Sequence, residues 1–292
     1  MSTVASGRLC IFLAALLWSL SGAFTKTLTQ DTFLGVNDPP LAPIQMACWR
    51  AIFAGLFLVP TLRPADIRFR PLMLVMALCF ALMNVSFVSA MTFGKAANAI
   101  LLQYTAPLWL YLVAIFWFRE PSDRRGVISL FAGLVGIAII IVGGWEEGDL
   151  NVIGLGLFSG FTYAGVVLSL RLLRELSPAW LTVWNHLLGG LALLPFVLML
   201  PAPTWPQFVV LFFFGSIQMG LPYWLMARGL RTVSAQEAGT ITLLEPILNP
   251  LWIYLIAGEE PHSFTYIGGA IILAALAYRY FPSRQQAAGS GQ

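Results

Sequence analysis

Three ionisable side chains, Arg50, Glu237 and Glu245, stand inside apolar runs that carry almost no other charge. A charge at bilayer depth costs roughly a few kcal/mol or more, so each must face a cavity, a partner of opposite sign or the interface. Glu245 lies about 15 Å into its run at a rise of about 1.5 Å per residue, close to the middle of a membrane. It could hold an ammonium group or carry a proton, or be a structural carboxylate bonded to neighbouring helices beside Pro246. Glu237, one turn into the same run, suits charge coupling, and equally compensation of a helix N-terminal dipole or an interfacial pair. Arg50 could hold a substrate carboxylate, or pair with a protein carboxylate or with helix-end carbonyls.

Polar and aromatic residues recur at similar depth on several runs. The candidates for contact with a small molecule are Trp18, Asn84, Gln103, Tyr104, Tyr163, Trp184, Tyr223 and Glu245. Rings with one polar edge suit an amphipathic ligand, although packing or an interfacial belt accounts for most single aromatics in membrane chains. Pro107 and Pro246 each remove an i to i−4 bond, freeing the carbonyls of Gln103 and Thr242, and Pro250 does the same to Pro246. These prolines are candidates for helix bending or gating. His186 and His262 are the only histidines, and Cys10, Cys48 and Cys79 lie in apolar runs, so neither a metal site nor a disulfide framework is expected, and no cofactor. Gly154, Gly156 and Gly160 follow no strand and read as a packing face, not a nucleotide loop. A paired Asp motif, a G-x-S-x-G turn and a plausible Ser/His dyad are all missing, which argues against an intramembrane enzyme.

The elements that must position these groups follow from composition. The 292 residues are 59% hydrophobic and 10% charged, with a mean hydropathy of +0.81. That is the range of integral membrane proteins. A net charge of +3 gives no reason to expect a nucleic-acid partner; lipid and a small-molecule substrate are the expected partners, and no obligate protein partner is inferred. Ten apolar runs are long enough to span a bilayer, at about 8–27, 42–62, 71–92, 96–118, 126–143, 152–172, 178–200, 206–228, 235–257 and 264–282. A cytoplasmic N-terminus gathers nearly all arginines, among them Arg8, Arg63, Arg124, Arg174, Arg231 and Arg284, on the cytoplasmic side. Lys26 and Lys95 fall on the other side, so the charge bias fixes the orientation with both termini inside. The first run could pass for a signal peptide but has a counterpart in the second half and is read as a mature helix. The polar tail 285–292 is assigned no fold.

The two halves repeat. At a shift of 135 positions Pro43, Trp49, Gly55 and Pro60 fall on Pro178, Trp184, Gly190 and Pro195. At 139, Ala99, Pro107 and Glu120 fall on Ala238, Pro246 and Glu259; at 145, Trp18 and Lys26 fall on Tyr163 and Arg171. Each repeat, 8–143 and 152–282, holds five runs, an odd number, so the second enters the membrane from the opposite side. The expected fold is an all-α polytopic membrane protein of ten transmembrane helices in two inverted five-helix repeats, an architecture associated with alternating access.

Leu243-Leu244-Glu245-Pro246 with Ile253 to Glu259, the first-half partner Thr105-Ala106-Pro107, and Ala14 to Trp18 resemble the drug/metabolite transporter superfamily, EamA type. The likeness spans residues 8–282 and is greatest to the YddG-like aromatic amino-acid exporters. Ala106 stands where the second half has Glu245, so a role needing two symmetric carboxylates is not supported. What the resemblance implies is a ten-helix secondary transporter of a bacterial inner membrane, exporting aromatic and other neutral amino acids. Efflux of drugs or other metabolites is the alternative.

Overall fold

The computed structural model is all-helical among the residues it describes, 3–119, 124–146, 150–233, 238 and 241–280. In chain order the helices are α1 (Thr3–Trp18), α2 (Ser21–Thr29), α3 (Pro43–Leu58), α4 (Leu72–Phe93), α5 (Ala96–Gln103), α6 (Ala106–Phe116), α7 (Arg124–Glu146), α8 (Leu150–Leu172) and α9 (Pro178–Val197). Then come α10 (Trp205–Phe213), a π-helical stretch Phe214–Gly220, α11 (Leu221–Gly229), α12 (Leu244–Ala257) and α13 (Ser263–Tyr280). Among the described residues, eight helical segments, from Val4–Thr29 to Trp205–Gly229, are long and apolar enough to cross a membrane. The ninth and tenth runs carry shorter apolar helices, Leu244–Ala257 and Ser263–Tyr278.

Helix starts follow local chemistry. Pro43 opens α3 and Pro178 opens α9, where a missing N–H leaves no intrahelical bond unmade. The Ala42 N–H donates to Gln45 Oε1 (3.0 Å) and the Thr204 N–H to Gln207 Oε1 (2.9 Å), which satisfies orphan donors at the entries to α3 and α10. After α12, Gly258 takes the left-handed conformation, φ +65°, that ends the helix.

Packing exchanges the halves. α7 lies against α13 and α3 against α9, each pairing a run with its repeat counterpart. α8 packs on α4, α5 and α6, and, matching this in the other half, α1 and α2 pack on α11 and α12. Close approach at the self-paired contacts is bought with glycine: a Cβ on Gly136 would meet Gly268 O at 2.7 Å, and one on Gly268 would meet Gly136 O at 2.6 Å. Gly55 fits over Leu187 of α9 and Gly190 over Ile52 of α3, the same contact seen from both halves.

Candidate functional site

Three helical runs break at one level of the bundle. The first expected run is not continuous: it stops at Trp18 and restarts at Ser21. Neither proline nor glycine makes this break. Ser19 Oγ donates to Leu16 O (2.6 Å), and other helices take over the exposed carbonyls. Gln218 Nε2 donates to Trp18 O (2.9 Å), Asn249 Nδ2 to Ser19 O (2.8 Å) and Trp252 Nε1 to Ser19 Oγ (2.8 Å). The fourth run stops at Gln103 and restarts at Ala106 with Pro107 in its first turn. Gly160 of α8 makes room there, since a Cβ on it would lie 2.7 Å from Leu102 O and 3.2 Å from Gln103 O. The ninth run turns at Leu243, just before Pro246. The Tyr104 hydroxyl reaches the carbonyl of Thr242 at 2.9 Å, so the acceptor released by Pro246 is met by a donor from the other half.

Around these breaks lies a cavity of about 510 Å³. Trp18, Arg50, Gln103, Tyr104, Pro107, Tyr163, Tyr223 and Glu245 all line it, so eight singled-out residues from six runs come together. Trp18 and Tyr223 meet edge to face with centroids 5.3 Å apart, and Tyr223 packs in the same way on His186 at 4.8 Å. Met83, Met219 and Met226 supply adaptable apolar wall. Asn84 does not line the cavity; it is fully buried behind Arg50. Trp184 is elsewhere too: its indole donates to Met73 O (3.2 Å), meets Phe69 edge to face and packs at a tilt on Trp180, because its side of α9 meets the start of α4. Pro246 is buried off the cavity, and Pro250 sits within a continuous α12. Glu237 lies outside the described residues.

The two charged groups of the cavity are held differently. Glu245 Oε2 lies 2.7 Å from the Tyr104 hydroxyl. That hydroxyl has one hydrogen and two acceptors, Glu245 and Thr242 O, and both acceptors are satisfied together when Glu245 carries a proton and donates it to the Tyr104 oxygen. Arg50 is held by Asn84, whose Oδ1 accepts from Nε (2.7 Å) and from Nη2 while its Nδ2 donates to Ala47 O (2.7 Å). Phe87 and Phe214 flank the guanidinium at 5.8 and 5.0 Å. Phe214 begins the π-helical stretch, whose Gly215 lies so close to α3 that a Cβ would be 2.6 Å from Arg50 O. Wide turns of this kind re-aim side chains. This one turns Gln218 towards the break in the first run and leaves Gln218 Oε1 buried without a hydrogen-bond partner at the cavity wall. Ser21, beside Trp18 in the first run, also lines the cavity, and Phe87 and Gln218 are cavity residues that sequence reasoning did not select; a glutamine between two glycines in an apolar run was the available signal for the last.

The two ends of the bundle differ. At one end Lys26 Nζ pairs with Glu259 Oε2 at 2.6 Å and donates to Gly94 O at 3.1 Å, while Glu259 Oε1 accepts from the Ala96 N–H at 2.9 Å. Lys26 is 1% and Glu259 10% exposed, so the pair seals that end. At the other end, beside Arg228 and Arg231, lies a second cavity of about 620 Å³ that shares Tyr223 with the first. Among the described residues no three His, Cys, Asp or Glu side chains gather as a metal site would need.

A family model described as the EamA-like transporter family matches residues 5–142 and again 147–280. An uncharacterized transporter of Archaeoglobus fulgidus is 29% identical over 92% of this chain and 94% of its own length. The uncharacterized inner membrane transporter YicL of Salmonella typhimurium is 24% identical over 98% and 99%. A riboflavin transporter of Vibrio cholerae is 27% identical over 62% of this chain and 61% of its own. A crystal structure superposes with a TM-score of 0.65 at 16% identity, covering 94% of this chain and 97% of that one, and shares the fold.

Proposed function

The chain belongs to the EamA-like transporter family and is a multi-pass membrane transporter, and we propose that it exports small amphipathic solutes, foremost neutral amino acids with aromatic or large side chains. The observation that carries this reading is the cavity where the broken runs meet, with rings for an apolar body and Arg50, Gln218 and Glu245 for polar ends. Its volume of about 510 Å³ is within the range of small-molecule pockets. Transport proceeds by alternating access between two inverted five-helix repeats. The charge bias of the loops favours an arginine-rich cytoplasmic end, and YicL, named as an inner membrane transporter, supports a bacterial inner membrane as the location. Lys26 and Glu259 then close the outer face while the second cavity opens inward.

Efflux of another metabolite is the competing reading, and the riboflavin transporter among the relatives favours it. Counterflow of labelled tryptophan, methionine and threonine into proteoliposomes, beside riboflavin and a drug cation, separates the two. Saturable amino-acid exchange is the expected result; movement of riboflavin or the cation alone would replace the amino-acid reading with general efflux.

A further inference from the structure

Arg50 is 3% exposed, deep within α3. A guanidinium taken out of water in this way is strongly destabilising unless an opposite charge and hydrogen bonds compensate it. Among the described residues no carboxylate lies within ion-pair distance of it; the two ion pairs found there are Lys26 with Glu259 and Arg70 with Glu175. What Arg50 has instead is Asn84, a neutral acceptor that fixes its direction without cancelling its charge. The amide of Asn84 cannot turn away, because its nitrogen is committed to Ala47 O. A guanidinium carries five N–H bonds, and Asn84 engages two, so the remaining three are free for the cavity that Arg50 lines. The rings of Phe87 and Phe214 screen the flanks and add cation–π attraction, again without neutralising the charge.

We infer that Arg50, aimed by Asn84, is the anchor for an anionic group, a carboxylate, on the transported molecule, so that the substrate itself supplies the missing counter-charge. The rings of Trp18 and Tyr223, edge to face, line the same cavity as Arg50 and Glu245 and receive the apolar body. A bidentate guanidinium–carboxylate contact made in a dry site is directional and strong, and an uncharged or cationic analogue of the same shape leaves the guanidinium exposed and unpaired. The inference deepens the proposed function and rests on the cavity being the transport site.

The test measures binding of tryptophan, tryptamine (no carboxylate) and indole-3-propionate (no ammonium) to the purified full chain in detergent, with counterflow in proteoliposomes alongside. The wild-type protein should bind tryptophan at least about tenfold more tightly than tryptamine, the span of a hydrogen bond to a charged group. Arg50→Gln should erase that ratio and Arg50→Lys should restore part of it. Asn84→Asp is the second variant: it keeps the size of the side chain and gives Arg50 an internal carboxylate, so it should weaken tryptophan and leave tryptamine unchanged in a protein that remains monodisperse. A loss of packing alone would lower both ligands together and leave their ratio intact. Equal binding of tryptophan and tryptamine, or an unchanged ratio in Arg50→Gln and Asn84→Asp, overturns the anchor while leaving amino-acid transport standing. Arg50-dependent binding of indole-3-propionate without binding of tryptophan keeps the anchor and removes the amino-acid reading. Binding of none of the three overturns both.

Discussion

In the proposed orientation, breaking the Lys26–Glu259 pair should open the outer face. Two unit charges 2.6 Å apart attract by about 6 kcal/mol at an effective dielectric constant of about 20, much of it offset by the desolvation of both groups. Removing one partner is another matter, because the other is left buried and uncompensated, at a cost of about 3–5 kcal/mol. Glu259→Gln retains an oxygen for the Ala96 N–H and leaves Lys26 its bond to Gly94 O, so the low end, about 3 kcal/mol, applies. That penalty is relieved in any state that hydrates Lys26, and at 1.4 kcal/mol per decade it shifts the closed-to-open ratio by about 100-fold. The assay is the rate at which a membrane-impermeant thiol reagent, added outside, labels Ser21→Cys on a background in which Cys10, Cys48 and Cys79 are replaced; Ser21 lines the central cavity. Glu259→Gln and Lys26→Met should each raise the rate by about two orders of magnitude. The double variant Lys26→Met with Glu259→Gln strands no charge and should raise it less than either. Wild-type labelling rates in both single variants, or a double variant as fast as the singles combined, would refute the latch.

Two further outcomes follow from the breaks. Gly160→Ala should lower the thermal unfolding temperature in detergent by an amount equivalent to about 1–3 kcal/mol, because its Cβ would press on backbone at the fourth-run break, whereas Gly154→Ala, with nothing within 4 Å, should be neutral or slightly stabilising; equal behaviour of the two would show that the close approach carries no weight. If the proposed amino-acid exchange is coupled through Glu245, Glu245→Gln, which still hydrogen-bonds but cannot ionise, should keep counterflow and remove its variation between about pH 5 and 8. A pH profile identical to wild type removes Glu245 from coupling.

Much of the site is legible in the chain because membrane depth can be counted off along an apolar run. Arg50, Tyr104, Tyr163 and Glu245 stand well inside their runs, and a bundle with a polar interior has to bring them together. The breaks before Pro107 and Pro246 are legible for a local reason, the missing N–H. The break at Ser19 is not, because the groups that hold it, Gln218, Asn249 and Trp252, are supplied two hundred residues and more further on. Trp184 stands only six residues into its run, beside Phe69 and the first turn of α4, and the packing of α9 on α4 holds it away from the cavity. Lys26 reads as a loop cation on hydropathy, and its burial depends on Glu259 across the fold.

The acceptors at Trp18 and Ser19 have a history as well as a geometry. As the chain is made, the first run enters the bilayer long before Gln218 and Asn249 have been synthesised. Lipid offers a stranded carbonyl nothing, so the nascent segment is most stable as one unbroken helix, with these oxygens bonded to the amides of Gly22 and Ala23. The interruption is then written in late, when the second half inserts and its amide side chains capture the two carbonyls. Read this way, the kink belongs to no single segment: it is the mark left on the first helix by the arrival of the last ones, and a translation product stopped after the first half should carry a straight helix in its place.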